Sequence, residues 1–149
     1  MPAWVKRIVA VVGALALLAL DRYAKWYATA ALPPAGVTVL PGVRFFFFNN
    51  PGLAFSLSVS GVARTVSLLA FILLAIVALV SLIRDARHLS KPRTLLAVAL
   101  IAFGGGSNIF DRLTTTGVTD YLLFFNRSAV NLADGMILAG ILLLIFKKK

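Results

Sequence analysis

The chain has five acidic residues, all of them aspartate, and four lie inside or at the ends of strongly apolar runs. These four are Asp21, Asp111, Asp120 and Asp134. An aspartate at the centre of a membrane helix costs about 2.5 to 3.5 kcal/mol on insertion scales, so such residues usually face a bundle interior or a wet cavity. We therefore treat the four as candidate functional residues, whereas Asp85 lies in a basic, hydrophilic stretch and is expected to be solvated.

Two carboxylates held close together can hydrolyse a peptide bond without a metal or a covalent intermediate. They cannot both ionise easily, so they share a proton: one accepts a proton from water while the other donates to the scissile carbonyl. The chain offers little for other chemistries, because it has no cysteine, no glutamate and a single histidine, His88. Thiolate catalysis is excluded, a zinc site lacks its usual ligands, and no metal or cofactor is expected.

The composition is typical of an integral membrane protein. Hydrophobic residues make up 60% of the chain, charged residues only 13%, and the mean hydropathy is +0.96. Because a membrane helix needs about 20 residues, the apolar segments predict four transmembrane helices at about residues 8–31, 65–83, 95–113 and 129–146. We expect one membrane-embedded catalytic domain over residues 1–149, α-helical, with a small extracytoplasmic β-rich platform.

Basic residues predict the orientation of the helices. One side of the membrane receives Lys6, Arg7, Arg84, Arg87, Lys91, Arg93, Lys147, Lys148 and Lys149, together with His88. The segment 32–61, on the other side, has a single basic residue, Arg44. By the positive-inside rule both termini are cytoplasmic. The net charge of +10 is thus divided among membrane flanks without a continuous basic face, so nucleic-acid binding is not expected.

The first outward loop carries strand signals. Residues 37–40, a Pro41-Gly42 turn and residues 43–48 predict a short hairpin or sheet, on β-branched and aromatic content. The four consecutive phenylalanines at 45–48 indicate either a platform at the membrane surface or packing against the helices. In the third predicted helix, the three glycines at 104–106 are expected to allow close helix packing.

Polar residues in the predicted helices keep helical spacing, so each set shares one helix face. The sets are Asp21 with Lys25, Asn108 with Asp111 and Arg112, and Asn131 with Asp134. All of them fall towards the outward ends of their helices. With Asp120 in the adjoining loop, they predict one outward-facing polar cluster.

Four ordered sequence boxes, at residues 21–25, 50–56, 108–121 and 131–134, resemble the signature boxes of the lipoprotein signal peptidases (signal peptidase II). They read Asp-Arg-Tyr-Ala-Lys, Asn-Pro-Gly-Leu-Ala-Phe-Ser, Asn-Ile-Phe-Asp-Arg with a following Val-Thr-Asp-Tyr, and Asn-Leu-Ala-Asp. The resemblance covers nearly the whole chain. It departs at several positions, among them Arg22, where glutamine is usual, and Ser107, where glycine is usual.

The resemblance implies an intramembrane aspartic endopeptidase of the bacterial inner membrane, with its active site near the outer leaflet. It would cleave the signal peptide from diacylglyceryl-modified prolipoproteins just before the lipidated cysteine. Carried over by motif position, the catalytic pair is Asp120 and Asp134. Substrate-binding or supporting roles fall to Asp21, Lys25, Asn50, Gly52, Asn108, Asp111, Arg112 and Asn131. The implied partners are lipidated signal peptides and membrane lipids, and the chain is expected to act as a monomer.

Other interpretations of the same residues remain open. The four aspartates can simply pair with Arg22, Lys25, Arg112 and Arg127. They can form an ion or proton relay in a small transporter, bind a divalent ion in a lipid phosphotransferase, or belong to an inactive paralogue that only binds. A relay needs acidic groups distributed through the membrane depth, and a phosphotransferase needs a metal.

The topology can be tested by cysteine labelling. If the segment around Arg44 lies outside the cytoplasm, a cysteine placed beside it reacts with an impermeant reagent on intact cells. A cysteine placed beside Arg87 reacts only after permeabilisation, because the basic loop is cytoplasmic. The opposite labelling pattern would invert the topology.

Overall fold

A computed structural model describes residues 1–51, 91–115 and 117–146 of the chain. Within these ranges it contains three helices and four strands. In chain order they are α1 (Ala3–Ala30), β1 (Val37–Leu40), β2 (Val43–Asn50), α2 (Pro92–Thr114), β3 (Val118–Phe124), β4 (Ser128–Val130) and α3 (Leu132–Ile145). The predicted helix at 65–83, together with Gly52, Asp85 and His88, lies outside the described residues.

Helices α1 and α2 are long and apolar enough to cross a membrane by length and composition. They have 28 and 23 residues. At about 1.5 Å per residue, both exceed the roughly 30 Å of a bilayer's hydrocarbon core. Both begin a few residues before the predicted starts at 8 and 95. Pro92 opens α2, which suits a residue whose missing N–H would have no partner in the first turn.

The fourth predicted helix was wrong at its start. Residues 129 and 130 belong to β4, and α3 begins only at Leu132, for a length of 14 residues. Asn131 separates the two elements: its backbone is extended, and its side chain caps the helix. Such a reciprocal cap was not predicted, although short polar side chains such as asparagine commonly accept hydrogen bonds from first-turn N–H groups.

The strands form one antiparallel sheet in the order β1-β2-β3-β4. The predicted β1-β2 hairpin is confirmed, with Leu40 opposite Val43. The turn between them needs Gly42, whose φ of +78° is a value that other residues rarely adopt. Strands β3 and β4 were missed, although Tyr121 to Phe124 form an apolar, aromatic run that favours a strand.

Some phenylalanines of β2 pack against neighbouring elements, and others are exposed. Phe45 packs its ring against Tyr27 of α1 and Tyr121 of β3, at centroid distances of 6.0 and 5.2 Å. Phe47 and Phe48 are 42% and 37% exposed. One end of the run therefore packs the sheet onto α1, while the other end presents aromatic surface.

Helices α2 and α3 approach closely at two glycines. A Cβ on Gly104 would lie 2.6 Å from the carbonyl oxygen of Ala133, and one on Gly140 would lie 2.6 Å from that of Ala97. Close packing at Gly104 is thus confirmed, whereas a Cβ on Gly106 would meet nothing within 4 Å. The contact at Ala133 seats the first turn of α3 directly against α2.

Replacing Gly104 with alanine is expected to lower stability by about 1 to 3 kcal/mol, because the added methyl group forces the backbones of α2 and α3 apart. The measurement is the thermal unfolding midpoint of the purified protein in detergent. Gly106→Ala is the matched control, since the same methyl group enters open space two residues away. Equal midpoints for Gly104→Ala and the unmodified protein would contradict the close contact.

Candidate active site

Asp120 lies on β3 and is held by two asparagine amides. Its Oδ2 accepts a hydrogen bond of 2.9 Å from Asn50 Nδ2, and its Oδ1 accepts one of 2.6 Å from Asn131 Nδ2. The sheet register explains the first contact: Asn50 pairs with Val118, so it is the diagonal neighbour of Asp120 on the same face. Only 1% of the Asp120 surface is exposed.

Asp134 lies in the first turn of α3 and shares a reciprocal cap with Asn131. The Asp134 backbone N–H donates to Asn131 Oδ1 at 2.9 Å, and the Asn131 N–H donates to Asp134 Oδ2 at 3.4 Å. The other carboxylate oxygen, Oδ1, accepts from Asn108 Nδ2 at 2.8 Å. The side chain of Asn131 therefore contacts both Asp120 and the backbone of Asp134, and fixes one relative to the other.

A buried lysine, Lys25, orients the side-chain amide of Asn108. Lys25 is 2% exposed, and its Nζ donates to Asn108 Oδ1 at 2.9 Å. The same ammonium pairs with Asp21 Oδ2 at 3.2 Å and with Asp111 Oδ2 at 2.8 Å. Because an ammonium can only donate, it must face the amide oxygen of Asn108, which turns the amide nitrogen towards Asp134.

The two aspartates beside Lys25 also bind neighbouring elements. Asp111 pairs with Arg22 and accepts a 3.2 Å hydrogen bond from the Thr119 N–H of β3. Asp21 accepts a hydrogen bond of 2.6 Å from Ser107 Oγ. The ion pairs of Asp111 therefore join α1 to α2, and its hydrogen bond from Thr119 joins α2 to β3.

The structure brings most of the predicted site residues into this one cluster: Asp21, Lys25, Asn50, Asn108, Asp111, Asp120, Asn131 and Asp134. Arg112 donates to the carbonyl oxygen of Asn108 at 3.2 Å, one helical turn earlier. Gly52 lies outside the described residues. Of the alternative in which the aspartates only pair with basic residues, the structure shows ion pairs of Arg22 with Asp111 and of Lys25 with Asp21 and Asp111.

Two features of the site were not predicted from the sequence. Tyr121 donates to Asp21 Oδ1 at 3.0 Å, although a tyrosine in an apolar run gave no sign of this contact. The two unusual residues Arg22 and Ser107 meet, with Arg22 Nη1 lying 3.4 Å from Ser107 Oγ. The arginine also lies over the Phe110 ring at 4.7 Å. Only the pairing of α1 with α2 shows that these substitutions are neighbours.

The chain matches a known family of membrane proteases over most of its length. The model of the signal peptidase (SPase) II family matches residues 13–148. The chain belongs to the signal peptidase II family. A lipoprotein signal peptidase of Acinetobacter baumannii is 31% identical over 138 residues, covering 86% of this chain and 76% of the relative. One of Oleidesulfovibrio alaskensis is 32% identical over 145 residues, covering 89% and 91%.

Solved structures show the same fold. Two structures described as bacterial membrane enzymes superpose with TM-scores of 0.73 and 0.71, each at 20% sequence identity. They cover 92% and 95% of this chain, and 85% and 94% of their own chains. The match to the family model and the relatives confirm the family resemblance of the four sequence boxes. This signal peptidase II is a protease, and its apolar helices fit a membrane protein.

The pKa of Asp120 is raised from 3.8 to about 6. Burial is the main cause, since it disfavours the charged form; the hydrogen bond from Asn50 opposes it, the charge of Asp134 adds to it, and Asn131 and Lys25 oppose it. This carboxyl group can thus exchange a proton near neutral pH. Within residues 1–51, 91–115 and 117–146, no group of three or more acidic, histidine or cysteine side chains is placed to hold a metal ion.

The raised pKa predicts a stability that depends on pH. The contribution of Asp120 to folding is fully present below about pH 4 and is lost as pH rises through about 6, because the folded state binds the proton more tightly than the unfolded state. A rise of this size corresponds to on the order of 3 kcal/mol. Asp120→Asn cannot titrate, so its thermal midpoint should fall less than that of the unmodified protein between about pH 4 and about pH 8.

Asp85→Asn is the control for this measurement and should keep the unmodified pH dependence. If Asp120→Asn and the unmodified protein show the same dependence of thermal midpoint on pH, then ionisation of Asp120 does not lower the stability of the folded protein, and the prediction is wrong.

Proposed function

We propose that this signal peptidase II is an aspartic endopeptidase that removes the signal peptide from diacylglyceryl-modified prolipoproteins, within the membrane and just before the lipidated cysteine. Its family and the names of its relatives, which are lipoprotein signal peptidases, support the substrate class. The contacts of Asn131 with both Asp120 and Asp134 support the aspartic mechanism. The catalytic residues are Asp120 and Asp134.

One observation carries the proposal: the side chain of Asn131 contacts both candidate catalytic residues. Its amide nitrogen donates to Asp120 Oδ1, and its amide oxygen accepts from the Asp134 N–H. The two aspartates come from a strand and a helix that are joined only by β4 and its turn. A shared capping residue therefore fixes two carboxylates that the chain delivers from different elements.

The pair can carry out both halves of peptide hydrolysis. Two carboxylates close together in a buried site titrate as a unit and hold one proton between them. The ionised member accepts a proton from the attacking water, and the protonated member donates to the carbonyl oxygen. No covalent intermediate forms. The pKa of about 6 at Asp120 keeps this singly protonated form accessible near neutral pH.

The supporting residues hold the pair in place. Asn50 and Asn131 each donate to a different oxygen of Asp120, so its carboxyl group cannot rotate freely. Lys25 fixes the amide of Asn108, which in turn donates to Asp134. These contacts pre-organise the two carboxylates before a substrate arrives, which is the arrangement that general acid–base catalysis needs.

The position of the cluster suits a membrane-embedded substrate. It lies near the C-terminal ends of α1 and α2 and at the N-terminal start of α3, so it occupies one end of the helices. A signal peptide is an apolar helix already in the bilayer, and its diacylglyceryl group keeps the scissile bond near the outer leaflet surface. We place that end of the helices at the outer leaflet of the bacterial inner membrane, with both termini in the cytoplasm. A proton relay is disfavoured, because the described buried aspartates gather at one end.

Replacing either catalytic residue tests the mechanism. Asp120→Asn and Asp134→Asn should each lower kcat by roughly 10³-fold or more, because either change leaves the pair without its acid or its base. The assay follows the size shift of a lipidated prolipoprotein incubated with the purified protein in detergent. Asp85→Asn is the control and should cleave at the unmodified rate. Substantial turnover by either dyad variant would refute the assignment.

The same assay separates this function from a metal-dependent phosphotransferase. Saturating chelator should leave the rate of cleavage unchanged at the optimum pH. Activity should fall at both acid and alkaline extremes, because only the singly protonated pair offers an acid and a base. Loss of cleavage on chelation, restored by a divalent ion, would refute the two-aspartate mechanism.

A further inference from the structure

Tyr121 lies directly after Asp120 on β3, so its side chain points to the opposite face of the strand. It is 3% exposed. Its hydroxyl group donates to Asp21 Oδ1 at 3.0 Å and accepts from the Leu132 N–H at 3.0 Å. One hydroxyl group thus joins β3, α1 and the first residue of α3.

The first turn of α3 is held from three sides. The Leu132 N–H donates to Tyr121, the Ala133 N–H donates to Asp21 Oδ1 at 3.1 Å, and the Asp134 N–H donates to Asn131. The first N–H groups of a helix have no partner within the helix, so these external acceptors determine where the turn lies. The carboxylate of Asp21 is also favoured there by the positive end of the helix dipole.

The Tyr121 ring and the Tyr121 hydroxyl group have separable roles. The ring packs against Phe45 at a centroid distance of 5.2 Å, which anchors the side chain within the sheet. Burial, and then the charge of Asp21, raise the pKa of the hydroxyl group well above its usual value. The group therefore stays protonated at neutral pH and can donate to Asp21 there.

We propose that Tyr121 is a positioning residue whose hydroxyl group, by bridging Asp21 and the Leu132 N–H, fixes the first turn of α3 against β3. That turn carries Asp134, and β3 carries Asp120, so the bridge sets the separation of the two carboxylates. This inference rests on the proposed aspartic mechanism. In this role Tyr121 acts on the geometry of the two carboxylates and does not contact the substrate.

Tyr121→Phe removes the bridge and keeps the ring. The kcat for cleavage of the lipidated prolipoprotein should fall about 10- to 100-fold, because a small displacement of a catalytic group has an effect of that order. KM should change by less than about 2-fold, since Tyr121 does not bind substrate. The pH–rate profile should also shift, because the coupling between two carboxylates depends on their separation. Rates are measured below the lowest thermal midpoint of the variants.

Tyr23→Phe is the matched control, since it removes a tyrosine hydroxyl group from α1 at a position that is 60% exposed. It should leave kcat, KM and the pH profile unchanged. A double-mutant cycle adds a second measurement: if Tyr121 acts through Asp21, then Tyr121→Phe should cost less in an Asp21→Asn background than in the unmodified protein.

The outcomes distinguish this inference from the proposed function. Unmodified kcat and pH profile for Tyr121→Phe, with Asp120→Asn inactive, would overturn only the positioning role. Additive effects of Tyr121→Phe and Asp21→Asn would overturn it as well. Residual turnover in Asp120→Asn would instead remove the aspartic mechanism on which the inference depends.

Discussion

The buried ammonium group of Lys25 is the interaction on which the rest of the site depends. It is 2% exposed and contacts two carboxylates, of Asp21 and Asp111, and the amide oxygen of Asn108. An ion left unpaired in such a place costs several kcal/mol, so α1 and α2 must meet in a register that brings Ser107, Asn108 and Asp111 of α2 to the ammonium group. The same ion pairs leave Asp21 and Asp111 with oxygens that bind the sheet and the start of α3.

Asparagine side chains carry this constraint from the ion pairs to the carboxylates. Two carboxylates cannot hydrogen-bond to each other when both are ionised, but an amide offers a donor and an acceptor on one rigid group. Asn108 joins Lys25 to Asp134, and Asn131 joins Asp134 to Asp120. The positions of the two aspartates therefore follow from the pairing of α1 with α2, through a chain of hydrogen bonds whose donors are unambiguous.

Much of the fold could be predicted from the sequence, and the physical reason differs from element to element. Apolar length predicted the cores of α1 and α2, and the Pro41-Gly42 turn predicted the first hairpin. Strand β3 was missed because strand propensity depends on a pairing partner, and β2, its partner, lies about 70 residues away in the chain. The start of α3 was misplaced because β4 is also apolar and gives no break before Asn131.

By itself the sequence determined the chemistry available: aspartates without cysteine or glutamate, polar residues grouped on helix faces, and four boxes in the order of the signal peptidase II family. Helical spacing shows which residues share a face but not which face they meet. Only the tertiary structure decided that Asn131 contacts both candidate catalytic residues, and that Tyr121 reaches Asp21 across 100 residues of chain. Hydrogen bonds act over about 3 Å, so such partners are set by the register in which helices and strands pack.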